Sequence, residues 1–500
     1  MKTFFASYKI HFLIMLVLLV AMATQSAANI FNGFIVMLSF TVITLSLLGF
    51  IRLGVYRQLL IFLTLLQIFT FAIKVSYGVV SSTILALLPT AYLAAMLICV
   101  SLLGVHGKLR FRFSLLDILV LSFFVLDFVQ VFNTYLRYVD NQDAFIIGLR
   151  GFQQRSFFGL VYFVIRWLNI SSFRFNTIVR ILAYTASLGG LYALIQQLFG
   201  FDSLETAYRL AQISKDPLLE AQYIARAEGF LGSPFTFGLI SATGLVSGIY
   251  LFNCVLLSKL ERLFSIASVL LNGLAVVLSG SRSTYFSLIV MSIILVFLMR
   301  MPLFSLARRS FRIIFALMMS LSFLIITFPD STPVQYSMER ISSLTEVFSD
   351  GNSIEDMNFI IRRELIAASG PMILSNPFGY GTGIFNGGSN PDGVVTVNGY
   401  STFMDNEYVG LALELGILGV LFFLAIVGVA LHRCHLALRL PAYRDRARVL
   451  AALVVICPIA GIGGQWLAAY PVNIIFWVVL GLSAGLPVSV RSLQYSVNHG

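Results

Sequence analysis

Two carboxylates and an amide stand together at the start of an apolar run near the end of the chain. Asp405, Asn406 and Glu407, in the stretch STFMDNEYVGLALELGILGV, precede residues apolar enough to lie in lipid, and only Glu414 interrupts that run. A positioned carboxylate can accept the proton of a reacting hydroxyl, so Asp405 and Glu407 are candidate general bases. Asp405 has an equally plausible role as a helix N-cap. Glu414 is better suited to a structural hydrogen bond with a neighbouring helix.

Four arginines form the second group of residues that could do chemistry. Arg226 lies in RAEGFLGSPF, Arg282 lies in LSGSRSTYF between two apolar runs, and Arg362 and Arg363 lie in IEDMNFIIRRELIAASGPMIL (354–374). A guanidinium binds phosphate oxygens bidentately and stays charged at any working pH, so a phosphate group is their functional partner. Salt bridges to nearby acids are the structural alternative. That alternative is weakest for Arg282, because no acid lies close to it in the sequence and it sits near membrane depth.

The composition shows which elements must position these groups. The chain has 500 residues, of which 58% are hydrophobic and 11% charged, and its mean hydropathy is +0.91. Soluble proteins carry about a quarter charged residues. Apolar runs of roughly 17–25 residues recur along the sequence, and each can cross a bilayer as a helix. The fold class predicted is therefore an all-α polytopic integral membrane protein, and the net charge of +11 is better explained by topology than by nucleic-acid binding.

About fourteen membrane-spanning helices are predicted from these runs. They cover roughly residues 10–27, 30–50, 58–80, 82–105, 114–134, 152–170, 177–199, 231–256, 264–280, 283–300, 311–328, 406–431, 448–469 and 472–490. Lys2 and Lys9 before the first run also resemble the start of a cleavable signal peptide, but a first transmembrane helix is favoured because more spans follow at once. The spans are almost free of charge, apart from Lys74, Asp117, Asp127 and Glu414.

Charge sets the orientation of these spans. With a cytoplasmic N-terminus, the inside loops hold 22 of the 33 Lys and Arg residues and only two acids, Glu261 and Asp445. Cytoplasmic loops of membrane proteins carry such an excess, so both termini are predicted to be cytoplasmic. The loops 200–230 and 329–405 then lie outside. All five histidines fall in cytoplasmic or terminal segments, and the chain has no DxD, P-loop, GxSxG or CxxC motif, so no metal site is predicted.

The second outside loop is too long for a plain connector and is predicted to be functional. Its segment 354–374 places apolar residues on one helical face and charged residues elsewhere, which predicts an amphipathic helix. This helix can lie on the membrane surface or pack on its own loop, and the sequence favours neither. The following NPFGYGTGIFNGGSN (376–390) is rich in glycine and predicts a tight ordered loop or a flexible cover.

These motifs, in their order and spacing, resemble the O-antigen ligase and polymerase family of bacterial membrane glycosyltransferases over roughly residues 180–435. The resemblance implies a GT-C-like helical fold with a large periplasmic loop in the inner membrane. It implies transfer of glycans from undecaprenyl-diphosphate-linked oligosaccharides without a nucleotide sugar or metal, with membrane lipid, a chain-length regulator and a flippase as partners. Arg226, Arg282 and Arg362 match the arginines expected to hold the lipid diphosphate. Three parts follow: N-terminal helices at 1–179, the family-like core at 180–435, and C-terminal helices at 436–500.

The residue before Asn406 differs from the family pattern and bears on the choice between a ligase and a polymerase. Ligases that attach O-antigen to lipid A core typically have a histidine just before the asparagine at the start of this helix, and Asp405 stands there instead. A polymerase of O-antigen, capsule or exopolysaccharide repeat units is therefore favoured, with ligation as the alternative. A flippase would need charges along its spans, and a scaffold protein would leave Arg282 unexplained, so both are less favoured.

Overall fold

The computed structural model describes residues 54–75, 82–105, 113–168, 172–201, 205–210, 226–253, 258–299, 357–385, 389–390, 395–397 and 406–487. The regular elements among these residues are helices, and they include no β-strand, as the all-α class predicts. Three predicted spans, at 10–27, 30–50 and 311–328, lie outside the described part of the chain.

The described chain forms a series of helices. They are α1 Val55–Val75, α2 Ser82–Val105, α3 Leu115–Arg137, α4 Ala144–Phe152, α5 Val161–Trp167, α6 Ser172–Phe199, α7 Pro234–Asn253, α8 Lys259–Ser279, α9 Arg282–Met299, α10 Met357–Ser375, α11 Glu407–Ala437, α12 Arg444–Ala460 and α13 Val472–Ala484. A π-helical segment, Gln153–Phe157, and a 3-10 turn, Phe158–Leu160, join α4 to α5. The sixth predicted span therefore belongs to a helical run that begins at Ala144 rather than at 152.

Six helical segments among the described residues are long and apolar enough to cross a membrane. They lie in α3, α6, α7, α8 and α11 and in Pro441–Gly463, which includes α12. Four shorter apolar helices lie in α1, α2, α9 and α13. The chain is thus a helical, multi-pass membrane protein. The count of fourteen spans, the large outside loop and the side of each terminus stay predictions.

Helix α3 has one exposed apolar face and one buried face. Its exposed apolar residues recur every three or four positions, as expected for one face of a helix: Ile118, Leu121, Val125, Phe128 and Phe132. The opposite face is buried and includes Asp127, whose side chain is fully enclosed. A charge placed on the protein-facing side of a membrane helix needs a partner there.

Aromatic rings fix the turn between α12 and α13. The Trp466 ring lies 6.0 Å from Phe423 of α11 and 4.7 Å from Phe476 of α13, measured between ring centroids. Trp466 is fully buried, and aromatic pairs at these distances add to the free energy of burial. The segment 461–467, which we call the GIGGQWL turn, is therefore packed against α11 and α13.

Helix α11 is interrupted at Gly416. This residue has φ 76° and ψ −179°, a backbone conformation that side-chain-bearing residues rarely adopt. The break divides α11 into a short segment, 407–415, and a long one, 417–437. Carbonyl groups near the break lose their helical partners and need others, because an unpaired peptide group within a membrane is costly.

Candidate active site

Arg226 and Arg282 lie on adjoining segments. The backbone N–H of Ala227 donates to the carbonyl of Leu278 near the end of α8, at 3.2 Å. Helix α8 ends at Ser279 with Gly280 as its C-cap, and α9 begins at Arg282. Arg226 is also within electrostatic reach of Tyr285, one turn into α9. The segment that carries Arg226 is therefore attached to the end of α8 at Leu278, four residues before Arg282 at the start of α9, where the backbone dipole also favours an anion.

A buried cluster of charges, which we call the lysine cluster, holds the segment that carries Arg226. Lys74 of α1 contacts the carboxylates of Glu205 and Glu228, each at 2.9 Å. Arg209 contacts Glu228 at 3.1 Å and donates to the carbonyl oxygen of Arg226 at 2.8 Å. Glu228, the acid nearest to Arg226 in this segment, is thus engaged by Lys74 and Arg209.

Asn406 is the N-cap of α11. Its side-chain oxygen accepts the backbone N–H groups of Tyr408 and Val409 at 3.0 and 3.2 Å, which satisfies two free donors of the first turn. Its amide nitrogen donates to the carbonyl of Ile462 at 3.0 Å. The capping role considered for Asp405 is therefore filled by Asn406. Asp405 itself lies outside the described residues.

Glu407 faces inward beside this cap. One oxygen of its buried carboxylate accepts the backbone N–H groups of Trp466 and Leu467 at 2.6 and 2.8 Å. Two charge-assisted hydrogen bonds of this kind make the side chain an anchor for the GIGGQWL turn. These contacts suit Glu407 to positioning, and its role as a base stays a prediction.

The GIGGQWL turn brings the two candidate groups together. Ser283, next to Arg282, donates its hydroxyl to the carbonyl of Gly463 at 3.1 Å. Asn406 donates to the carbonyl of the preceding residue, Ile462. Ser283 in the first turn of α9 and Asn406 at the start of α11 therefore contact two consecutive peptide groups. The turn contributes carbonyl groups, so it has no side-chain signature that could reveal it in the sequence.

A second buried cluster, which we call the arginine cluster, lies among the helices and includes Glu414 of α11. Arg155, in the π-helical segment, pairs with Glu414 of α11 and with Asp127 of α3, the latter at 3.3 Å. The same guanidinium donates to the hydroxyl of Thr382 at 3.1 Å. Ser156 donates to the other oxygen of Asp127 at 2.5 Å. Arg155 is missing from the charges predicted within the spans, although an arginine in a predicted span is the signal that finds it.

The glycine-rich loop fills the break in α11. Backbone N–H groups of Tyr380 and Gly381 donate to the carbonyls of Leu413 and Glu414 at 2.7 and 3.2 Å. In the other direction, Ile417 donates to the carbonyl of Pro377 at 3.0 Å. The predicted tight, ordered loop is therefore confirmed for residues 376–385. It supplies partners to peptide groups that the break leaves without helical ones.

Glycine is required at position 381 by two independent features. Its φ of 114° suits glycine alone, and an added Cβ atom would lie 2.3 Å from the hydroxyl of Thr134. The loop thereby approaches the backbone of α3 closely.

Helix α10 packs on its own loop. Met372 is buried in a cluster with Tyr380 and Leu413, and Leu365 packs against that cluster. Ile366 and Leu374 on the other side of α10 remain 49% and 79% exposed. The packing alternative is therefore confirmed, while contact of the exposed side with a membrane surface stays a prediction.

The remaining predicted arginines lie on α10. The side chain of Arg363 is exposed, and the side chain of Arg362 lies outside the described residues. Tyr138, directly after α3, packs against the cluster that includes Met372 and Tyr380, and burial raises the pKa of its phenol to about 12. The Tyr138 phenol therefore stays protonated at any working pH, which excludes it as a general base.

Comparison with known proteins supports the resemblance found in the sequence. The O-antigen ligase family model matches residues 267–424, a segment that contains Arg282, Arg362, Arg363, Asp405, Asn406 and Glu407. No curated protein matches the chain. The match confirms a resemblance to the O-antigen ligase and polymerase family and supports a membrane glycosyltransferase that acts on lipid-linked glycans. Arg226 and the GIGGQWL turn lie outside the matched segment.

Proposed function

We propose that the protein is a membrane glycosyltransferase that polymerises undecaprenyl-diphosphate-linked oligosaccharide repeat units at the periplasmic face of the bacterial inner membrane. The observation that carries this proposal is the pair of hydrogen bonds on the GIGGQWL turn. Ser283, next to Arg282, and Asn406, next to Glu407, contact consecutive carbonyls, and this supports assigning the arginines and the carboxylates to one site. A transferase needs one group that binds the leaving diphosphate and another that accepts the proton of the attacking hydroxyl, on opposite sides of the glycosidic bond that breaks.

The reaction assigns a separate task to each side. A hydroxyl oxygen of the acceptor glycan attacks the anomeric carbon of the donor, and the bond from that carbon to the diphosphate oxygen breaks. Arg226 and Arg282 bind the diphosphate and stabilise the negative charge that it gathers as it leaves. Asp405 accepts the proton of the attacking hydroxyl. The products are a longer lipid-linked glycan and undecaprenyl diphosphate.

The other predicted residues take supporting roles in this proposal. Arg362 and Arg363 on α10 contribute positive charge to the donor diphosphate. Asn406 holds the helix start through its cap, and contact of this residue with a sugar remains part of the proposal. Asp405 is preferred to Glu407 as the base, because Glu407 already accepts two backbone hydrogen bonds.

Ligation is the second candidate function, because the matching family model is described as O-antigen ligase. Asp405 at the place of the ligase histidine favours polymerisation over transfer to lipid A core. The two functions differ only in the acceptor, so they share the arginines and the carboxylate.

Reconstitution of the purified protein in lipid vesicles tests the proposed function. The substrate is an undecaprenyl-diphosphate-linked oligosaccharide, offered alone or together with a lipid A core acceptor and without any nucleotide sugar. A ladder of longer lipid-linked glycans from the first mixture supports polymerisation. A product that forms only with the lipid A core acceptor would replace it with ligation. Movement of the unchanged lipid across the vesicle membrane, without a new glycosidic bond, would instead identify a flippase.

A further inference from the structure

The arginine cluster joins four parts of the chain through one side chain. Arg155 belongs to the π-helical segment between α4 and α5, and its guanidinium contacts Asp127 of α3, Thr382 of the glycine-rich loop and Glu414 of α11. All of these side chains are buried. π-Helical segments inserted in helices are frequent at functional sites. The proposed chemistry assigns no task to this cluster.

Glu414 ties the loop to the helix segment that carries the proposed base. Its second carboxylate oxygen accepts the backbone N–H of Phe385 at 2.9 Å, and its carbonyl accepts that of Gly381. Glu414 belongs to the segment 407–415, before the break at Gly416. A displacement of Glu414 would therefore also move the start of α11, where Asn406 and Glu407 lie and which Asp405 directly precedes.

The glycine-rich loop also forms hydrogen bonds with the end of α10. The hydroxyl of Tyr380 donates to the carbonyl of Met372 at 3.2 Å and lies 3.1 Å from the hydroxyl of Ser375. Asn376, directly after α10, donates to the carbonyl of Gly379 at 2.5 Å. These contacts link the end of α10 to the loop, and α10 also carries Arg362 and Arg363.

We propose that Arg155 is a positioning residue, which sets the distance between the α10 arginines and the carboxylate at the start of α11. The proposal rests on the proposed function, because it assumes that both groups act on one glycosidic bond. A planar guanidinium can hold two carboxylates and a hydroxyl in fixed directions, whereas a lysine ammonium is a single point of charge. Loss of this link displaces reacting groups by a small distance, and a displacement of about 1 Å can lower the rate about 100-fold.

Replacing all three charged residues of the arginine cluster by neutral ones tests their effect on the position of the loop without leaving a buried charge unpaired. Removing one partner of a buried ion pair destabilises a protein strongly, whereas replacing all partners by neutral groups is often tolerated. The triple variant Arg155→Met, Asp127→Asn, Glu414→Gln puts a side-chain amide in place of each carboxylate. The amide oxygen at position 127 can still accept from Ser156, and the amide oxygen at position 414 can still accept from Phe385. The variant removes the guanidinium link and leaves no buried charge unpaired within the cluster.

The position of α10 can be measured independently of activity. Leu136 at the end of α3 and Leu374 on α10 are 71% and 79% exposed, so cysteines at these sites can carry spin labels in a chain whose four native cysteines are replaced by alanine. Double electron–electron resonance then reports the position of α10 relative to α3, the helix that Arg155 joins to the glycine-rich loop. We expect one narrow distribution in the labelled parent, a broad or shifted one in the triple variant, and turnover about 100-fold lower per inserted molecule.

Each result decides the proposal. A triple variant that keeps the parent turnover or the parent distance distribution overturns it, because the cluster is then only a structural ion-pair network. If the triple variant is not recovered from the membrane, Arg155→Lys replaces it, with the same two readouts and the same criteria. If the parent itself forms no glycosidic bond, the proposed function fails, while the distance measurement still tests the positioning.

Discussion

The two buried charge clusters hold two different parts of the candidate site, and they do so in different ways. Among the described residues, the lysine cluster has two cations, Lys74 and Arg209, and two carboxylates, Glu205 and Glu228. The arginine cluster has one cation, Arg155, between two carboxylates. Hydroxyl and backbone N–H donors complete the coordination of those carboxylates. The first cluster balances its charges with side chains, and the second relies on the backbone of a loop.

Because of this difference, we expect the lysine cluster to affect mainly the stability of the fold and the arginine cluster to affect mainly the position of the loop. A balanced cluster such as the lysine cluster depends mainly on having all its partners, because an uncompensated buried charge is what costs free energy. The arginine cluster depends also on where the glycine-rich loop lies, because Phe385 and Thr382 are among its donors and acceptors. We therefore expect changes in the lysine cluster to reduce the amount of folded protein. Changes around the arginine cluster should instead reduce the turnover of each molecule.

The largest effect is expected for Lys74→Met. This change leaves the carboxylates of Glu205 and Glu228 buried with one cation fewer, which destabilises the fold by about 3–5 kcal/mol. Thermal unfolding in detergent and the amount of inserted protein measure the loss. Pairing the change with Glu205→Gln, which removes one of the unpaired charges, should recover most of it. Normal stability of Lys74→Met would show that the lysine cluster does not support the fold.

The next largest effect is expected for Gly381→Ala. The left-handed backbone at this position costs about 1–3 kcal/mol for other residues, and the new methyl group meets Thr134. The glycine-rich loop must then shift away from α3, so turnover per inserted molecule should fall. Gly370→Ala is the matched control, because a Cβ atom there meets nothing within 4 Å and alanine favours a helix. Equal activity of both variants would contradict a fixed position of the loop.

The smallest effect on stability is expected at Asn406. Asn406→Ala removes the N-cap of α11 and should cost about 1 kcal/mol. Asn406→Asp keeps a capping oxygen but cannot donate to the carbonyl of Ile462, so it should unfold close to the wild-type temperature and still lose turnover. Thermal unfolding and transfer rate are measured on both variants. Full activity of Asn406→Asp would remove the contact with the GIGGQWL turn from the functional site.

The sequence was sufficient for the class of fold and for the residues with unusual charge. Apolar runs predict the helices because the thickness of a bilayer sets their length. Arg282 is predicted to be functional because a charge at membrane depth is costly. The GIGGQWL turn could not be predicted, since it acts through two carbonyl groups that any residue possesses. The pairing of Glu228 with Lys74 and Arg209 also joins segments that are distant in sequence, and no local pattern encodes such a contact. Arg155 is visible as a charge in a predicted span, but its partners Asp127 and Glu414 lie 28 and 259 residues away in the sequence.

The central claim is that the arginine pair and the carboxylate act on one bond, and a double-mutant cycle on Arg282 and Asp405 tests it. The release of undecaprenyl diphosphate by reconstituted protein is measured for Arg282→Lys, for Asp405→Asn and for the double variant. We expect Asp405→Asn to lower the rate by about 10²–10⁴-fold and Arg282→Lys to lower it sharply with little loss of protein. Groups that act as a unit are not additive, so the double variant should be little slower than the slower single variant. Normal release by either single variant, or losses that multiply in the double variant, would contradict the claim.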